Sequence, residues 1–120
     1  MTVKHARDVR AEVVKAGEKT TIQVLISANE GPNFAMRRFV MEPGGGMPNH
    51  TNTLEHEQFV IKGHARIGIG EETFDVNAGD VVFIPEGAPH WYLNVGEENF
   101  EFLCIIPNKT DEIKVIGKGC

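Results

Sequence analysis

The sequence predicts an all-β fold, one domain of eight or more short strands wound into a sandwich or small barrel with almost no helix. Three observations predict it. Residues with β preference come in short packets, turn formers stand in the gaps between packets, and 13 glycines supply the reversals that a tightly wound sheet requires.

Taken in order, the chain opens on an arm in which Arg7 to Lys15 has a helical look but lacks a clean apolar stripe, so it reads as a turn or an irregular arm. Thr21 to Ser27 is the first packet, closed by Glu30-Gly31-Pro32-Asn33. Phe34 to Met41 follows, with apolar residues of both parities, the pattern of a strand buried on both faces. Pro43-Gly44-Gly45-Gly46 reads as the turn that ends it. Glu55 to Ile61 and Ala65 to Ile69 come next, then Gly70-Glu71-Glu72, Thr73 to Val76, and the turn Asn77-Ala78-Gly79-Asp80. Asp80 to Ile84 leads into Pro85-Glu86-Gly87, and His90 to Asn94 leads into Gly96-Glu97-Glu98-Asn99. Phe100 to Ile106 is the last packet. Residues 1–107 are thus expected to form the barrel with its arm. Residues 108–120 form a polar, Gly-rich tail that either covers an edge strand or moves freely.

A chain of 120 residues suits one domain and buries enough surface for a core without staples. Twelve Lys and Arg against 17 Asp and Glu give a net charge of −5, with no basic block to neutralise several phosphates, which argues against a nucleic-acid partner. No apolar run approaches the roughly 18 residues a membrane span needs, and the start MTVKHARDVR lacks the apolar stretch of a signal peptide, so the expectation is a cytoplasmic protein. Cys104 lies in an apolar packet and Cys120 ends the chain; with no CxxC pair, both are expected to be free thiols, Cys104 as a small buried hydrophobe.

Chemistry concentrates in two glycine-framed segments. The first runs Gly44-Gly-Gly-Met-Pro-Asn-His50-Thr-Asn52-Thr-Leu-Glu-His56-Glu-Gln58 and on to Gly63. The second runs Gly79-Asp-Val-Val-Phe-Ile-Pro85-Glu-Gly87-Ala-Pro-His90-Trp-Tyr-Leu-Asn94. Residues 50, 52 and 56 share parity and can face one side of an extended chain, while His90 arrives from another strand. Three neutral imidazoles suit Zn, Ni, Cu, Fe or Mn and leave positions open, the layout of a reactive site rather than a structural one. His5 and His64 read as surface or edge residues.

These segments resemble the two motifs of the cupins. Gly79, Pro85, Gly87, His90 and Asn94 match the second motif without a gap, and Gly44, His50 and Gly63 hold their places in the first. The spacer His64 to Ala78 is about the shortest the family uses, and the resemblance spans Phe34 to Pro107. It implies a double-stranded β-helix, a jelly-roll-like barrel, similar to the single-domain bacterial and archaeal cupins with four histidines. It also implies a divalent transition metal held by His50, His56 and His90, with Asn52 in the fourth place where the family has a second His. Asn52 either binds through its carbonyl oxygen or hydrogen-bonds a metal-bound water.

Gln58 shares the parity of His56 and either orients substrate or bonds a neighbouring strand. The resemblance sets Phe102 and Cys104 as cavity walls, and Tyr92, two residues beyond His90, supplies a phenol donor or packs as an aromatic. Glu55 and Glu57 have the opposite parity and read as outside groups, Glu57 alternatively orienting a histidine. Trp91, Phe39 and Met41 are expected on a face that meets a neighbour, since cupins of this size commonly form homodimers. The resemblance implies a metal-dependent enzyme on a small oxygenated molecule, either a dioxygenase or an isomerase or lyase on a sugar acid. The alternatives are a small-molecule binding module without turnover and a degenerate, metal-free barrel.

Overall fold

The computed structural model describes residues 1–117, so Cys120 lies outside the described residues. A 3₁₀ turn at Ala6–Asp8 precedes ten strands: β1 Glu12–Val13, β2 Glu18–Ile26, β3 Phe34–Thr51, β4 His56–Lys62, β5 His64–Ile69, β6 Glu72–Asn77, β7 Val81–Ile84, β8 His90–Leu93, β9 Phe100–Pro107 and β10 Lys114–Gly117. Hydrogen bonds link them in the order β6-β5-β8-β3-β9-β4-β7, with β2 and β10 also on β3 and β1 on β2. The fold is the all-β, single-domain barrel that the sequence predicts. Among the described residues no helix is long and apolar enough to cross a membrane.

β3 closes the barrel. Its first half pairs with β9, from Phe34 opposite Pro107 to Met41 opposite Phe100, and with β2. Its second half pairs with β8 through Gly46, Met47 and His50, and with β10. One strand therefore passes from one layer of the barrel to the other. The sequence reading ended this strand at Pro43 to Gly46, and the structure corrects that: the strand bends there and continues. Gly44 takes φ +83°, open to glycine at little cost. The register against β2 jumps from Thr20 opposite Met41 to Glu18 opposite Gly46, a bulge that turns the strand. A Cβ on Gly46 would sit 2.0 Å from the Tyr92 carbonyl oxygen, so glycine is what lets β3 and β8 close on each other.

The arm is anchored rather than loose. β1 pairs with Thr21 and Ile22, and the Gln23 side chain donates to the carbonyls of Ala6 at 2.8 Å and Val9 at 2.9 Å. The segment beyond Pro107 contributes β10, whose Val115 lies opposite His50.

Burial alternates along β4 and the loop before it: Asn52, Leu54, His56, Gln58 and Val60 are buried, while Thr53, Glu55, Glu57 and Phe59 are exposed. The inward set joins Met41, Ile67, Ile84, Phe100, Phe102 and Cys104 in the core. Phe39 and Met41, expected on a face that meets a neighbour, point inward instead: Met41 is fully buried and Phe39 packs against the core. The reason is parity, since residues 37, 39 and 41 share the inner side of β3. Trp91 is half-buried and lies over Gly68, where a Cβ would come within 2.0 Å of the indole nitrogen. The apolar residues that do face out on β4 and β7 are Phe59, Ile61, Val81 and Phe83.

Candidate functional site

His50 and His90 face each other across the β3–β8 pairing, their rings 4.1 Å apart. His56 enters from β4, its ring 5.4 Å from that of His90. Two distant stretches of chain thus bring the three imidazoles together in the barrel interior.

The tautomers follow from their partners. His50 Nδ1 lies 2.7 Å from the Pro48 carbonyl oxygen and His90 Nδ1 lies 3.0 Å from that of Ala88. A carbonyl only accepts, so each Nδ1 carries the proton and each Nε2 keeps a lone pair. Burial holds all three rings neutral: it lowers the His50 pKa, takes His90 to about 4 and takes His56 to about 3, the last helped by the Arg37 guanidinium. Neutral imidazole is the form that binds metal.

His56 differs from the other two. Its Nε2 lies 3.1 Å from Asn52 Oδ1, and its Nδ1 faces Arg37 Nη2 at 3.4 Å and Cys104 Sγ at 3.5 Å. With Nδ1 accepting from Arg37, Nε2 carries the proton and donates to Asn52 Oδ1; with the proton on Nδ1, toward Cys104 Sγ, Nε2 and Oδ1 are instead neighbouring donor atoms for one ion. Asn52 Nδ2 donates to Asp111 Oδ2 at 3.1 Å, which aims the amide oxygen toward His56. Among the described residues, no three His, Cys, Asp or Glu side chains are drawn tightly enough around one point to form a ready metal cluster. The donor set nevertheless fits a transition ion: two free Nε2 lone pairs, a third neutral imidazole and an amide oxygen.

The site opens onto a cavity of about 210 Å³ lined by all of the expected site residues, His50, Asn52, His56, Gln58, His90, Tyr92, Phe102 and Cys104. Gln58 donates to the Tyr92 phenol oxygen at 2.6 Å and lies 3.6 Å from Cys104 Sγ. Burial pushes the Tyr92 pKa up, so the phenol keeps its proton. Phe102 stacks between Phe39 and Tyr92, with ring separations of 5.1 and 5.2 Å at interplanar angles of 15° and 14°. Cys104 is a buried free thiol.

Two residues and one role escaped the sequence reading. Arg37 lines the cavity from β3, beside His56 and Cys104; the signal was a charged residue sharing the inward parity of Phe39 and Met41. Asp111 left no signal, because only the return of β10 onto β3 brings it to Asn52. Orientation of the histidines, read as an alternative role for Glu57, falls to the backbone carbonyls of Pro48 and Ala88. Glu57 points outward, and its hydrogen bond and charge contact with Glu55 raise its pKa to about 7. Asn94 of the second motif is structural, donating to the carbonyls of Met41 and Glu98, both at 2.9 Å.

The family model of the cupin domain matches residues 37–106, more than half of the chain. The chain belongs to the cupin family. This cupin is similar to the polyketide cyclase RemF from Streptomyces resistomycificus, with 28% identity and a TM-score of 0.90 over 99% of this chain and 87% of that one. It is also similar to a cupin-2 domain protein from Rhodospirillum rubrum, 24% identical with a TM-score of 0.85 over 96% and 80% of the two chains, a likeness of fold. Among curated relatives, an uncharacterized protein of Streptomyces coelicolor is 27% identical over 55% of the cupin, and one of Methanocaldococcus jannaschii is 31% identical over 43%. The matches span 63% and 42% of those proteins' lengths.

Proposed function

We propose that the cupin is a metal-dependent enzyme acting on a small oxygenated molecule that enters an apolar pocket, with an enolisable carbonyl compound as the best fit. One observation carries this: three buried neutral imidazoles meet at a cavity walled by stacked aromatic rings, with no carboxylate among the described residues that line it. The similarity to a polyketide cyclase supports a substrate with several carbonyl oxygens on a largely apolar body.

His50, His56 and His90 would hold a divalent transition ion, with Asn52 beside them. Such an ion supplies Lewis acidity, polarising a carbonyl oxygen and lowering the pKa of neighbouring protons. The Tyr92 phenol, whose oxygen accepts from Gln58, keeps a proton to donate toward a substrate oxygen. Phe39, Phe102 and Met41 exclude water and orient a planar substrate against their faces. Lewis-acid chemistry of the cyclisation, isomerisation or lyase type is the proposed class, in the cytoplasm, by a homodimer that leaves each cavity open.

The test is metal analysis of untagged protein, repeated on H50A, H56A and H90A, followed by product analysis and oxygen uptake on a panel of 1,3-diketones, enediols and sugar acids. About one ion per chain, lost in the variants, with product formed under argon, is the expected result. Oxygen consumed in step with product replaces the Lewis-acid class with a dioxygenase. An ion bound without turnover of any panel member points to a binding module, and no ion in the parent protein overturns the reading.

A further inference from the structure

Arg37 projects from β3 into the cavity, and no described carboxylate forms an ion pair with it. Its side-chain hydrogen bonds among the described residues are to Cys104 Sγ at 3.2 Å and to His56 Nδ1 at 3.4 Å. Its Nε is buried and has no partner among the described residues. One face of the guanidinium lies over the Phe39 ring, 5.1 Å from the centroid. The neighbouring arginine on the outer side of the same strand shows the ordinary arrangement, for Arg38 is paired with Glu101 and Gln23. A half-buried guanidinium without a counter-anion and with an idle, buried N–H is costly, and arginine is the side chain whose planar fork matches a carboxylate.

We propose that Arg37 is the anchor for a carboxylate on the small molecule this cavity takes, held by the terminal nitrogens of the guanidinium. The body attached to that carboxylate is flat and apolar, because Phe39, Phe102 and Tyr92 form the adjoining wall. The proposal rests on the preceding reading only for the cavity being a small-molecule site. It needs no metal.

The probes are benzoate and its neutral isostere benzamide, titrated by ligand-observed NMR into the wild-type protein, once loaded with Zn and once after exhaustive EDTA treatment. Benzoate is expected to bind at least about tenfold more tightly than benzamide in both preparations. R37M should abolish that preference and R37K should retain part of it, with melting temperatures recorded for each. The wild-type comparison is informative even if a variant does not fold. Equal binding of the two probes, or a preference that survives in R37M, overturns the proposal. A preference that vanishes with EDTA also overturns it and leaves the metal reading standing, since the carboxylate then sits on the ion. A preference that persists in a protein shown to bind no ion upholds Arg37 and sinks the metal reading.

Discussion

Asn52 bridges His56 and Asp111: its amide oxygen lies 3.1 Å from the imidazole Nε2, and its amide nitrogen donates to the carboxylate at 3.1 Å. It stands where the four-histidine cupins carry an imidazole, and an amide oxygen is the weaker, harder donor. Asn52→His should therefore tighten Zn binding by at least about tenfold, about 1.4 kcal/mol. A competitive chelator titration measures it, and equal affinities would show that position 52 stays out of the ligand set.

Asp111 does more than aim that amide. It accepts from the Thr53 backbone N–H at 3.0 Å, and the Glu112 N–H donates to Thr53 Oγ1 at 2.9 Å, so the C-terminal segment and the 52–53 loop are stitched together beside the site. Asp111→Ala should cost about 1–2 kcal/mol in urea unfolding and speed hydrogen exchange at the Thr53 amide. It should also weaken Zn binding, because Asn52 loses its tether. Unchanged exchange at Thr53 would mean that the loop holds itself.

Acid should unfold the metal-stripped protein through its histidines. His90 and His56 titrate at about 4 and about 3 when folded, against 6.5 ordinarily. Below about pH 6.5 the unfolded chain binds protons that the folded chain refuses, so stability falls as pH falls and is flat in these groups above that value. Each histidine contributes a slope of up to about 1.4 kcal/mol per pH unit. Urea midpoints between pH 7 and 5 read it in a Glu57→Gln background, because Glu57, raised to about 7, titrates in the same window with the opposite sign. His90→Gln should reduce the slope by about one proton, and an unchanged slope would assign the acid sensitivity elsewhere.

What the sequence showed and hid divides along physical lines. Parity made residues 50, 52, 56 and 58 legible as one inward face, because a strand repeats every two residues whatever its partners. The same parity placed Phe102 and Cys104 opposite Leu103 and Ile105. Composition misled at Pro43 to Gly46, where glycines that ordinarily signal a turn serve a bend within one long strand and its close approach to Tyr92. It misled again at Phe39 and Met41, since apolar residues of both parities on β3 do not say which side is the cavity. Asp111 was invisible because its role depends on β10 returning to β3, a contact between segments some sixty residues apart that no local pattern encodes.

The outer surface of β4 and β7 supplies the last prediction. Phe59 lies opposite Val81 and Glu57 opposite Phe83, and Phe59, Ile61, Val81 and Phe83 are 48%, 41%, 77% and 55% exposed. β7 ends the strand order, so an apolar face runs to an open sheet edge, a combination that invites association. The proposed homodimer would use this face. Light scattering behind size exclusion should give twice the chain mass of 13.3 kDa for the wild type and the single mass for Phe83→Glu combined with Val81→Lys. Both side chains are exposed and point away from the histidines, so the double variant should keep its Zn stoichiometry and its benzoate affinity. A wild type that elutes as a monomer removes the dimer, while a dimer that survives the double substitution moves the interface to another face of the barrel.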